Sequence, residues 1–190
     1  MPDAVTLRED GYSLAEAAIL SEPWLSASTL PDVLARPAVI TGSFDPGGPA
    51  LTMVVIRKSG QEISAEFPPG RAMPRSFVNT VEAILDLLTL PAGWNSYSAK
   101  PIALRTAVRA IRLLAELLGP DTPQGAVVPT VRGGIQLEWH TKGVNIEVYV
   151  ESSDEVSFFA EDIGGGETVE EPLAGHEDEL RSWLQRISGK

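Results

Sequence analysis

Gly133-Gly134-Ile135-Gln136-Leu137-Glu138-Trp139-His140, then Thr141-Lys142-Gly143, then Val144-Asn145-Ile146-Glu147-Val148-Tyr149-Val150-Glu151, then Ser152-Ser153-Asp154-Glu155 and Val156-Ser157-Phe158-Phe159-Ala160-Glu161 is the stretch that decides the fold. Successive side chains on a strand point to opposite faces, so a strand buried on one side alternates apolar with polar. Ile135, Leu137 and Trp139 share one face, as do Val144, Ile146, Val148 and Val150, and then Val156, Phe158 and Ala160. The three runs predict an antiparallel meander with an apolar inner face. A two-residue loop of Thr141 and Lys142 sets Trp139 opposite Val144 and Leu137 opposite Ile146, which places Gln136 across from Glu147 and Glu138 across from Asn145. The short run Ala126–Thr130 adds a fourth strand, which Pro129 confines to an edge or to its own last residues.

Outward from the meander, two helices precede it. Phe77, Val81, Ile84, Leu85 and Leu88 have the spacing of one buried helix stripe, opened by Pro74 and stopped near Leu90-Pro91. A second helix is expected over 101–118, buried through Leu104, Val108, Ile111, Ala115 and Leu118, with Arg105, Arg109 and Arg112 on another face. Residues 92–101 between them form a polar loop carrying Trp94 and Tyr97. Upstream, Leu51–Lys58 and Gln61–Phe67 flank Ser59-Gly60, a hairpin register that pairs Ile56 with Ile63 and Val54 with Ala65. Downstream, Gly164-Gly165-Gly166 reads as a flexible connection into an acidic stretch. His176–Ile187 then forms a helix with Leu180, Trp183, Leu184 and Ile187 inward and Glu177, Asp178 and Glu179 at its positive end.

The expected fold class is therefore α+β: an antiparallel sheet, made of an N-terminal hairpin plus a C-terminal three- to four-stranded meander, packed against two central helices with a short C-terminal helix. Residues 1–36 read as an N-terminal arm, in which Ser13 and Glu16 form a capping box and Trp24 anchors; residues 37–190 read as one α+β domain.

The chain has 190 residues, a formal charge of −11 and no cysteine. Its mean hydropathy is near zero. Phosphate contact needs a basic footprint, so this charge argues against direct nucleic-acid binding. Without cysteine there is no thiolate nucleophile, disulfide or cysteine metal site. No apolar run approaches the roughly 20 residues of a membrane span, and the first residues lack a secretory pattern. A cytoplasmic location is expected.

The Gly93-Trp94-Asn95-Ser96-Tyr97-Ser98-Ala99-Lys100-Pro101 loop and the Pro129-Thr130-Val131-Arg132-Gly133-Gly134-Ile135-Gln136-Leu137-Glu138-Trp139 run together resemble a group of small bacterial proteins with no established activity. Members carry Gly-Trp-Asp/Asn-x-Tyr-x-Ala-x-Pro ahead of a helix and Pro-Thr-x-x-Gly-Gly-x-Gln-Leu-Glu-Trp leading into a strand. The resemblance covers about 90–150 and implies a shared fold and surface without a mechanism. Ser98 stands where a glycine is usual, which matters if that position needs a positive φ.

The catalytic signatures are missing: no Walker or Gly-x-Gly-x-x-Gly loop, no His-Glu-x-x-His, no Gly-x-Ser-x-Gly elbow. No cofactor and no metal site are expected. The residues that stand out are partner-binding candidates: Trp94 and Tyr97 in the loop, and Gln136, Glu138, Glu147, Tyr149 and Phe159 on the outer face of the meander. Two bland alternatives compete: Trp94 plugging the core between helices, and a solvated sheet face half covered by Arg105, Arg109 and Arg112. The leading expectation is an acidic, non-enzymatic interaction protein, such as an antitoxin, immunity protein or inhibitor, with a basic protein partner. One alternative is a carboxylate enzyme or divalent-cation binder using Glu138, Glu147 and His140. Another is a structural subunit or homodimer.

Overall fold

The computed structural model describes residues 38–42, 51–58, 61–67 and 72–189; in the first three segments side chains are described only at Ile56, Ala65 and Phe67. The expected N-terminal arm and the 45–49 loop lie outside the described residues. The chain divides into two compact units, Met1–Arg71 and Ala72–Lys190. The fold is α+β.

The first unit holds a three-stranded antiparallel sheet of β1 (Ala38–Gly42), β2 (Leu51–Lys58) and β3 (Gln61–Phe67), with β2 in the centre. The hairpin register is the expected one, Ile56 opposite Ile63 and Val54 opposite Ala65. Ile56, Ala65 and Phe67 are buried. The N-terminal hairpin thus belongs to a sheet of its own, enlarged by β1.

The second unit runs α1 (Phe77–Leu87), α2 (Leu104–Leu117), β4 (Ala126–Pro129), β5 (Ile135–Thr141), β6 (Val144–Val150), β7 (Val156–Asp162), β8 (Thr168–Pro172) and α3 (Glu177–Ile187). Its five strands form one antiparallel sheet in chain order. Ile135, Leu137, Val148, Ile146 and Phe158 are almost fully buried on the inner face. The helices cover that face: α2 lies against β5 and β6, α3 against β6 and β7, and α1 against α2 and β4. Period-two burial on the strands and the stripe Leu180, Trp183, Leu184, Ile187 on α3 are two halves of one core.

Three expectations are corrected. The β5–β6 loop is Lys142-Gly143 rather than Thr141-Lys142, because both of these residues take positive φ, +54° and +74°, the conformation of a tight hairpin turn whose twist matches its strands. The register shifts by two: Trp139 faces Ile146, Leu137 faces Val148, Gln136 faces Tyr149 and Glu138 faces Glu147. A shift of two preserves the faces, so apolar periodicity alone could not decide it.

The second correction is on α2: Ile111, Ala115 and Leu118 are buried as expected, but Leu104 and Val108 are only half-buried, and Thr106, Ala107, Ala110 and Leu114 share the buried face instead. Small alanines let the helix lie close to the sheet, and they carry little weight in a hydrophobicity count. Third, the segment after Gly166 forms strand β8. Asp162 orders the connection: its Oδ1 accepts from the Gly164 and Gly165 N–H groups at 3.0 and 2.8 Å, and Arg186 of α3 donates to Asp162 and, at 2.9 Å, to Glu167. Arg186 also lies 4.1 Å over the Trp183 ring.

Candidate functional site: the outer face of the sheet

The second unit leaves one sheet face without a helix. From β4 to β8 it presents Ala126 and Val128, then Gln136, Glu138 and His140, then Asn145, Glu147 and Tyr149, then Ser157, Phe159 and Glu161, and finally Thr168, Glu170 and Pro172. Neither lysine nor arginine occurs among these residues. The middle row reads Glu138, Glu147, Phe159, Glu170 across four adjacent strands. An aromatic ring therefore sits between carboxylates on either side, half-buried in the sheet surface.

Hydrogen bonds fix the side chains of this face. Glu147 Oε2 accepts from Gln136 Nε2 at 2.9 Å and from the Tyr149 hydroxyl. The hydrogen bond to Glu147 pushes the Tyr149 phenol up to about 12, aided by burial and by the charges of Glu147, Glu138 and Glu170. Asn145 Nδ2 donates to Glu161 at 3.3 Å, while its Oδ1 lies 3.1 Å from His140 Nδ1. His140 Nε2 is 3.4 Å from Glu138 Oε2. The Asn145 contact is the largest influence raising the His140 pKa above 6.5; partial burial opposes it and Glu138 adds to it.

Gln136, Glu138, Glu147, Tyr149 and Phe159 are thus brought together, joined by His140, Asn145, Glu161 and Glu170. Neither family models, curated proteins nor solved structures match the chain. The surface must be read from its own chemistry.

Glu170 escaped the sequence reading because β8 contains a single buried-type residue, Val169, among two glutamates and a proline. Only the Val169-Glu170 alternation after a glycine turn hinted at an edge strand. The arginine row does not cover the carboxylates: α2 packs on the opposite face, and Arg105 donates instead to the Ser152 carbonyl in the β6–β7 turn at 2.8 Å. Among the described residues no group of three His, Asp or Glu side chains converges in a way that could hold a metal ion.

Trp94 and Tyr97 stand apart from the face, in the α1–α2 loop. Trp94 is half-buried rather than plugging the core, since its indole N–H is spent on the Lys100 carbonyl at 3.3 Å, which holds the ring against its own loop. Tyr97 is 86% exposed. Asn95 Oδ1 ties the loop by accepting from the N–H groups of Tyr97 and Ala99 at 3.0 and 3.2 Å, and Lys100 N–H donates to the Val131 carbonyl at 3.0 Å. The positive φ angles fall at Gly93 and Ser96, so Ser98 sits without strain. Close approach is also needed at Gly133, φ +86°, where a Cβ would meet the Pro101 carbonyl at 3.0 Å.

Proposed function

We propose that the protein is a non-enzymatic interaction module whose acidic sheet face receives a protein partner with a basic surface, in the manner of an antitoxin, immunity protein or other inhibitor acting in the bacterial cytoplasm. The observation that carries this reading is the row Glu138, Glu147, Phe159, Glu170 on a face devoid of lysine and arginine. Carboxylates around an aromatic ring suit a guanidinium, which stacks on the ring and hydrogen-bonds the flanking oxygens. Complementary charge sets on-rate and partner choice more than raw affinity. No helix among the described residues is long and apolar enough to cross a membrane. The rigid Tyr97 loop is a second contact point, because an exposed tyrosine on a tied loop loses little entropy when it binds.

A divalent-cation site has less support. Glu147 Oε2, the oxygen best placed toward its neighbours, is already bonded to both Gln136 and Tyr149.

The test is capture of partners by the tagged full chain from extract of its native host, followed by mass spectrometry and reconstitution with the purified partner. The expected result is one stoichiometric basic protein, lost in the Glu138→Lys, Glu147→Lys double variant and weakened by salt. A partner that binds the double variant as tightly as the wild type moves the interface elsewhere, and a chain that retains no partner ends the proposal.

A further inference from the structure

Both atoms that His140 addresses are acceptors. Glu138 offers a carboxylate oxygen at 3.4 Å from Nε2. Asn145 offers Oδ1 at 3.1 Å from Nδ1, and its orientation is fixed because the amide nitrogen donates to Glu161. A neutral imidazole has one N–H and one lone pair, so it satisfies one of these neighbours and turns a lone pair on the other; an imidazolium donates to both. These two acceptors are the complement of the charged ring.

We propose that His140 is a proton-operated clasp on the acidic face: protonated, it ties Glu138 of β5 to Asn145 of β6 and cancels one carboxylate of the row; deprotonated, it releases Glu138 to a basic partner. The regulatory half of this inference rests on the acidic-face reading above. Glu138 lies on the same strand as His140, Glu147 on β6 stands directly opposite Glu138, and Glu161 on β7 is reached through Asn145. The part of β4 on this face contributes Ala126 and Val128, which do not titrate. Lys142 of the adjoining turn is directed away, donating to the Ser188 carbonyl at 3.0 Å. Among the described residues every charge facing His140 is therefore negative, and the ring's raised pKa agrees with that geometry.

The device is a modest one, since the His140 side chain is 51% exposed and the Glu138 side chain 22%. Exposed pairs of this kind shift an equilibrium by about two- to fivefold.

The test uses the full chain, which contains two histidines, with imidazole ¹⁵N signals followed by long-range ¹H–¹⁵N correlation and assigned with His140→Gln. Expected are a His140 midpoint above 6.5, both ring nitrogens protonated below it, and a lower midpoint in Glu138→Gln and Asn145→Leu. A midpoint at or below 6.5, or one that neither variant moves, overturns the clasp. Labelled nonaarginine then probes the face: its affinity is expected to rise about two- to fivefold from pH 5.5 to 8, and the rise is expected to vanish in His140→Gln but persist in His176→Gln. The same rise in His140→Gln overturns the regulatory role. Nonaarginine that fails to bind even at pH 8 counts against the acidic-face reading itself, whereas the clasp is then decided by the ¹⁵N titration.

Discussion

Glu138 stands directly opposite Glu147 across the β5–β6 pair. Like charges in register across two strands destabilise a sheet by a few tenths to about 1 kcal/mol relative to neutral pairs. Gln136 and Tyr149 steady Glu147, and His140 is the partner of Glu138 among the described residues. At pH 8 and low salt, Glu138→Gln is therefore expected to raise the urea midpoint, by an amount that shrinks as salt is added. An unchanged midpoint would mean that solvent already screens the pair.

Tyr149 supplies a spectroscopic check on the same network. Because its folded pKa, about 12, exceeds the ordinary 10.0, the protonated phenol favours the folded state. That contribution is complete below pH 10 and is lost as pH climbs through 12. Ultraviolet titration is expected to show one phenol ionising late, and Glu147→Gln should bring it earlier.

Arg186 and Asp162 hold the β7–β8 connection. The backbone N–H of Gly165 is the largest influence depressing the Asp162 pKa below 3.8; desolvation opposes it, and Gly164 and Arg186 add to the depression. A depressed carboxylate pKa stabilises above 3.8 and loses that effect as pH falls through the depressed value. Asp162→Ala is expected to speed hydrogen exchange at the Gly164 and Gly165 amides while leaving the β5–β6 amides protected.

Gly125 lies against Trp139, whose indole N–H donates to the Pro123 carbonyl at 2.9 Å. A Cβ at 125 would come within 2.6 Å of the Trp139 ring and 2.9 Å of the Glu138 carbonyl oxygen. Gly125→Ala is expected to cost about 1–3 kcal/mol through overpacking, measured by chemical denaturation. A neutral result would show that the Pro123–Gly125 segment yields easily.

Thr106 carries a fully buried hydroxyl that has no hydrogen-bond partner among the described residues. An unpartnered buried polar group costs about 1–3 kcal/mol, so the isosteric Thr106→Val is expected to raise stability despite the β-branched side chain being retained in α2. A lower thermal midpoint would reveal a partner that the hydroxyl acquires in solution.

How legible these features were depends on what each element displays. The meander and α3 could be read because long alternating or 3.6-spaced runs of Val, Ile, Leu and Trp allow one buried face. The β5–β6 register could not, since Lys142 at positive φ has no sequence signal as strong as Asn-Gly, and a two-residue slip leaves every apolar side chain inside. Strand β8 was hidden for a related reason: as an edge strand it buries almost nothing, so its sequence follows solvent rather than the core. The carboxylates of the site were visible as types and faces, and Glu138 was assigned the wrong neighbour because the register set it. Thr106 and Ala107 on α2 show the limit from the other side, being buried residues whose chemistry announces no burial.

The two borders of the five-stranded sheet have a consequence for its solution behaviour. On β4 the backbone ends at Pro129, which has no N–H to offer, and on β8 Glu170 and Glu171 point to opposite faces before Pro172. A further strand laid against either border would meet a missing donor or a paired negative charge. Ladder extension from molecule to molecule is thereby discouraged, and the five-stranded sheet can stay exposed at its borders without becoming a template for fibrils.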